Sequence, residues 1–129
     1  MTVYVDDMRA RFGRLVMCHM IADTEDELHA MARRIGVKRR WYQGDHYDIC
    51  LAKRALAVQH GAVEVTMRQI GCMAMRRRAT GRLGSPSDAV EWVRTTFVSL
   101  PRRHGKTALM HLVDEGYKQF LKPCRENES

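Results

Sequence analysis

Gly44-Asp45-His46-Tyr47-Asp48 brings two carboxylates, an imidazole and a phenol together within five residues. No other window concentrates as much chemistry, and its reading governs what lies on either side. Upstream the chain is basic and aromatic, with Lys38, Arg39, Arg40, Trp41 and Tyr42 in succession. Downstream, Ile49 to His60 reads as a helix, with Leu51, Ala55 and Val58 as its buried stripe and Gly61 as its stop. The window then becomes a helix entrance, where Asp45 or Asp48 could accept from the free N–H groups of the first turn. His46 and Asp48 are equally the residue types of a metal or acid–base site.

Working outward, Thr2 to Val5 reads as a short strand ending at Asp6-Asp7. Met8 to Arg14, with Gly13 and three Arg, reads as a loop. Leu15 to Ala22 is nearly all apolar, as a central strand covered on both faces requires, and it ends at Asp23. His19 alternates onto one face with Leu15, Met17 and Ile21. Thr24-Glu25-Asp26-Glu27 is a capping box opening a helix through Leu28, Met31, Ala32 and Ile35, with Gly36 to terminate it. His29 lies at the edge of that stripe. Ala62 to Val65 is a third strand, and Thr66-Met67-Arg68-Gln69 opens a third helix ending in Arg76-Arg77-Arg78.

Thr80 to Ser87 carries Gly81, Gly84 and Pro86 and is the best boundary in the chain. Ser85-Pro86 starts a fourth helix, ended by Pro101, and a fifth runs from about Thr107 to Lys122. The expected architecture is α/β, a small three-stranded sheet with flanking helices followed by a C-terminal helical hairpin. The corresponding domains are residues 1–80, a hairpin extension over 85–122 and a polar tail over 123–129. The hairpin is expected to pack on the domain or on a second copy, and the second alternative gives a homodimer through the C-terminal helices.

The 129 residues suffice for one core without staples. The four cysteines lie far apart with no C-x-x-C pair, and no signal-peptide pattern opens the chain. Reduced thiols in a cytoplasmic protein are therefore expected. The longest apolar run is too short to span a bilayer, so no membrane partner is expected. The net charge of +7 is uneven: the first thirty residues hold three Arg against six acids, while 31–60 hold seven Lys/Arg against two. Arg39, Arg40, Arg76, Arg77 and Arg78 stand in the basic clusters. Their forked guanidinium groups suit phosphate, and Trp41 could stack on a base. Nucleic acid or another polyanion is the natural partner, against the plainer readings of a solvated basic face and of Trp41 as a core anchor.

Several catalytic motifs are excluded. Gly105-Lys106-Thr107 resembles the end of a phosphate-binding loop, but Leu100 stands where its first Gly belongs. The chain has neither G-x-S-x-G nor H-E-x-x-H. What remains is Asp6, Asp23, His46 and Asp48 as candidate ligands of a divalent metal, with His19, His29 and His46 as catalytic candidates. Parallel neighbouring strands would bring Asp6 and Asp23 together at their carboxyl ends, and an antiparallel pair would separate them. Each residue also has an ordinary role as a turn former, helix cap or hydrogen-bonded core histidine.

Val3-Tyr4-Val5-Asp6, Cys18-His19-Met20-Ile21-Ala22-Asp23-Thr24, Glu27 to Ala32, Asp45-His46-Tyr47-Asp48 and Gly61 to Thr66 together resemble domain of unknown function 4031. That family comprises short bacterial and phage proteins, and the likeness covers about residues 2–78. It implies no activity. It does imply that His19, His29, His46 and Asp48 fall on signature positions. Many members carry Pro after the first strand where this chain has Asp7-Met8-Arg9, which favours Asp6 over Asp7 as a ligand. Two function classes follow: a small metal-dependent hydrolase acting on a phosphodiester or similar polyanion, and a non-enzymatic nucleic-acid- or partner-binding accessory protein that works through its Arg clusters.

Overall fold

Leu15–Ala22 is the strand on which the first part of the molecule is assembled. In the computed structural model, which describes residues 2–99, the order is β1 (Val3–Val5), β2 (Ala10–Phe12), β3 (Leu15–Ala22), α1 (Glu25–Arg34), a 3-10 turn (Arg39–Trp41), β4 (Tyr47–Cys50), α2 (Leu51–Gln59), β5 (Val63–Glu64), α3 (Met67–Thr80) and α4 (Pro86–Ser99). The expected α/β class with flanking and C-terminal helices is what forms, but the sheet has five strands instead of three. The second arm of the expected hairpin, its dimer contact and the tail lie outside the described residues.

Both additional strands are short. β2 closes on β3 through Gly13-Arg14, with Phe12 opposite Leu15. Gly13 has φ +60°, the left-handed backbone that a two-residue hairpin turn uses. β4 occupies the window read from sequence as a helix entrance, so Asp48 sits inside a strand and not at a helix cap. Cys50 takes the N-cap position of α2 without a side-chain hydrogen bond. The later helix start also turns its face: Ala57 is buried, while Leu51 and Ala55 are exposed.

All strands but β5 pair with β3. Met17 is matched by Ala10 and by Cys50, and Met20 by Val5 and by Tyr47. β1 and β2 therefore run along one edge of β3, with β4 antiparallel along the other. β1 is antiparallel to β3, the alternative that separates Asp6 from Asp23, and β5 adds parallel to β1.

Period-two alternation divides the sheet into faces. Val3, Val5, Cys18, Met20, Ala22, Tyr47 and Ile49 form the hydrophobic core with Leu28, Met31, Ala32 and Ile35 and with Ala57 of α2. Burying a side chain such as Met20 or Leu28 contributes about 1.5–3 kcal/mol. Tyr4, Asp6, His19, Ile21 and Asp48 point the other way. α1 begins as its sequence prescribes, with Thr24 Oγ1 accepting from the Glu27 N–H at 3.2 Å. It ends at Gly36, whose φ of +81° only glycine adopts readily. At α3 the capping box closes in both directions, Gln69 N–H to Thr66 Oγ1 at 3.1 Å and Thr66 N–H to Gln69 Oε1 at 2.9 Å.

The chain divides into two compact units within α3, the first ending at Ile70 and the second starting at Gly71. In the second, Ser85 caps α4 through the Asp88 N–H at 3.3 Å, with Pro86 as first helical residue. The Arg76 guanidinium lies where a Cβ on Gly84 would stand, so that position takes no larger residue without moving the arginine.

Candidate metal centre

A row of polar side chains crosses the sheet on the face opposite the core. Asp6 follows β1, where pairing with β3 breaks off, and its carboxylate replaces part of the lost ladder. Asp6 Oδ1 accepts from the His19 N–H at 2.8 Å, and Oδ2 lies 2.7 Å from His19 Nδ1. Across the other edge of β3, His19 is directly opposite Asp48. His46 precedes β4, and its Nδ1 lies 2.6 Å from Asp45 Oδ1. Asp6, His19, His46 and Asp48 are all buried, at 4% exposure or less.

The tautomers follow from the partners. An ionised carboxylate only accepts, so the proton of each imidazole sits on Nδ1, toward Asp6 in one case and Asp45 in the other. Both Nε2 atoms then carry lone pairs. His46 Nε2 lies 3.5 Å from Asp48 Oδ1 and His19 Nε2 lies 3.9 Å from the same oxygen. The three ligand atoms are all within 4.8 Å of one another, and the two rings meet edge-on with centroids 5.4 Å apart. Ligand atoms about 2.0–2.2 Å from a tetrahedral ion are separated by roughly 3.3–3.6 Å. The His46–Asp48 spacing falls in that range and the others are wider, so a small closing movement of the side chains would let two histidines and one carboxylate hold zinc, manganese or iron. A carboxylate on each histidine's far nitrogen is the support such ligands ordinarily have.

The arrangement reassigns several residues read from sequence. Asp6 does not point at the triad as a ligand; it orients His19. Asp45, read there as a helix cap, orients His46. Asp7 accepts from the Met67 N–H at 2.7 Å and so caps α3. Asp23 lies at the far end of β3, four residues or about 13 Å of strand from His19. It accepts from the Thr2 N–H at 2.9 Å and the Tyr4 hydroxyl at 3.4 Å, so it is not brought to the site. His29 is also elsewhere. Its Nδ1 is 2.7 Å from the Tyr47 hydroxyl and its Nε2 is 3.1 Å from Glu25 Oε1, on the face of β4 away from Asp48.

Arg54 was not singled out from sequence. From α2 it donates through Nε to the Asp6 carbonyl at 2.8 Å and through Nη1 to Glu64 at 2.8 Å, fixing the backbone that carries Asp6. A contact spanning 48 residues leaves no local signal. Of the Arg clusters, Arg39 and Arg40 are exposed beside a half-buried Trp41 that packs on the core, with the Arg40 guanidinium 5.6 Å from the indole centroid. Arg76 and Arg77 are half-buried and Arg78 exposed, in the second unit. Cys18 lies beneath the row. Burial, reinforced by the Asp6 carboxylate, pushes its thiol from an ordinary 9.0 up to about 12, which removes it as a nucleophile at neutral pH.

The family model for proteins of unknown function, DUF4031, matches residues 3–78. The chain belongs to this family. The DUF4031 region contains the complete triad and both orienting carboxylates, and α4 lies beyond it. No curated protein and no solved structure matches the chain. Among the described residues no helix is long and apolar enough to cross a membrane.

Proposed function

We propose that this DUF4031 protein is a divalent-metal-dependent hydrolase whose metal is held by His19, His46 and Asp48, acting on a phosphodiester or a similar polyanion. One observation carries the reading: His19, His46 and Asp48 each offer a ligand atom within 4.8 Å of the other two, both Nε2 atoms face Asp48, and both Nδ1 atoms lie on Asp6 and Asp45. Three protein ligands leave a coordination position for water, and a bound divalent ion lowers the pKa of that water toward neutrality. Asp6 and Asp45 keep each ring in the tautomer that presents a lone pair, and Arg54 holds the Asp6 backbone. In the reaction the water oxygen bonds to phosphorus, the P–O bond to the leaving group breaks, and the departing alkoxide takes the proton. The products are a phosphomonoester and an alcohol. The charge of +7 supports an anionic substrate.

The test is calorimetric titration of the EDTA-stripped full chain with Zn²⁺, Mn²⁺ and Co²⁺, followed by assay on bis(p-nitrophenyl) phosphate. Stoichiometric binding, a Co²⁺ spectrum showing imidazole ligation and metal-dependent release of p-nitrophenol are expected, all lost in His46→Ala. Failure of every ion to bind removes the proposal; binding without turnover reduces the site to a structural one.

A further inference from the structure

Next to Asp48 lies a cleft that the metal reading leaves unexplained. It has a volume of about 270 Å³ and is walled by Phe12, Met17 and Trp41, with Lys38, Arg40 and Lys53 among its lining residues. That size is near the lower end of pockets that hold small organic molecules, roughly 300–1,000 Å³. Two of the cations belong to one short turn, which Lys38 opens as its N-cap, and the third comes from α2. Lys38 follows α1, Arg40 sits in the 3-10 turn with its guanidinium over Trp41, and Lys53 projects from α2 so that its Nζ lies 3.0 Å from where a Gly36 Cβ would be. Among the described residues, none of the three has a carboxylate partner. Three cations against the single carboxylate of Asp48 around an apolar hollow are complementary to a ligand with one flat apolar end and one anionic end.

From this complementarity we infer that the cleft binds a nucleoside phosphate, its base against Phe12, Met17 and Trp41 and its phosphate on Lys38, Arg40 and Lys53. The ligand is either a free nucleotide or the terminal nucleotide of a single strand. An adjoining hollow that shares Gly36, Val37 and Lys38 adds Arg33 and Arg39, a continuation suited to further phosphates. Binding in the cleft needs no metal. That the nucleotide is also the substrate rests on the hydrolase reading, because Asp48 borders both the cleft and the ligand triad.

The experiment is calorimetric titration of the full chain in EDTA with adenosine and uridine 5′-monophosphates, adenosine, inorganic phosphate and a short oligothymidylate. The monophosphates are expected to bind at least about tenfold more tightly than adenosine or phosphate alone, and Lys53→Ala and Lys38→Ala to weaken them about tenfold each. Because the titration is run in EDTA, its outcome is independent of that of the metal site. Tighter binding of the monophosphate than of the oligonucleotide assigns the free ligand, and the reverse assigns a strand end. Monophosphates that bind no better than phosphate, or that are indifferent to both lysine substitutions, overturn the inference.

Discussion

Two histidine clusters flank β4, one on each face, and they differ in what their nitrogens do. Tyr47 and Asp48 are adjacent in sequence, so their side chains leave the strand in opposite directions. On the core side, His29 is bonded through Nδ1 to the Tyr47 hydroxyl and through Nε2 to Glu25, and its ring meets Tyr42 edge-on with centroids 4.6 Å apart. Both nitrogens are spent on neighbours that fix α1 against β4. On the other side, the Nδ1 atoms of His19 and His46 lie on Asp6 and Asp45, and both Nε2 atoms turn toward one carboxylate. Burial is similar, at 6% exposure for His29 against 0% and 1% for the other two. Burial and residue type therefore do not separate a structural histidine from a candidate ligand. The direction of the second nitrogen does.

The largest contrast comes from removing one member of each cluster. Asp48→Ala is expected to abolish stoichiometric Zn²⁺ binding, whereas His29→Ala should keep it and instead lower unfolding free energy by about 1–3 kcal/mol, because the buried Tyr47 hydroxyl loses its partner. Parallel metal titrations and urea melts check both halves. If His29→Ala also loses the metal, the two faces are not independent.

Asp6→Asn comes next. The amide retains the size of Asp6 but not the charge that holds His19 in the required tautomer, and Zn²⁺ affinity should fall about ten- to hundredfold. An unchanged affinity would return Asp6 to a purely structural part in the strand break.

The smallest effect concerns Cys18, whose pKa is raised to about 12 in the folded chain. Folding therefore favours the protonated thiol. The stability this contributes is complete below the unfolded value near 9 and is lost as pH rises from there through about 12. One such group changes stability by up to ~1.4 kcal/mol per pH unit in that window. Denaturant melts between pH 8 and 11 should show a shallower alkaline decline for Cys18→Ala. An identical slope would place the loss on Tyr4 and Tyr47, whose hydroxyls burial also raises.

Elements with a local signature were legible without coordinates. Thr24 with Gly36, Thr66 with Gln69 and Ser85-Pro86 each satisfy or terminate a helix end within a few residues, and those helices lie where the pattern puts them. The eight-residue run Leu15–Ala22 reads as a central strand and forms one, buried from Cys18 onward and open at Leu15. β2 and β4 escaped because, unlike the β-branched run of β1, Ala10–Phe12 and Tyr47–Cys50 each carry a charged and a small residue, and they exist by pairing with β3. Reading β4 as the first turn of α2 also gave Asp45 and Asp48 capping roles that the strand rules out.

By itself the sequence determined the α/β class, the family, the central strand and the short set of residues worth watching, since propensity, capping and apolar runs act over neighbouring residues. Tertiary structure decided which of those residues meet. The antiparallel pairing of β1 with β3 sent Asp23 away from Asp6, and the pairing of β4 with β3 set Asp48 opposite His19. Both are long-range pairings, fixed by which edges of β3 remain to be hydrogen-bonded once its apolar face is packed on α1.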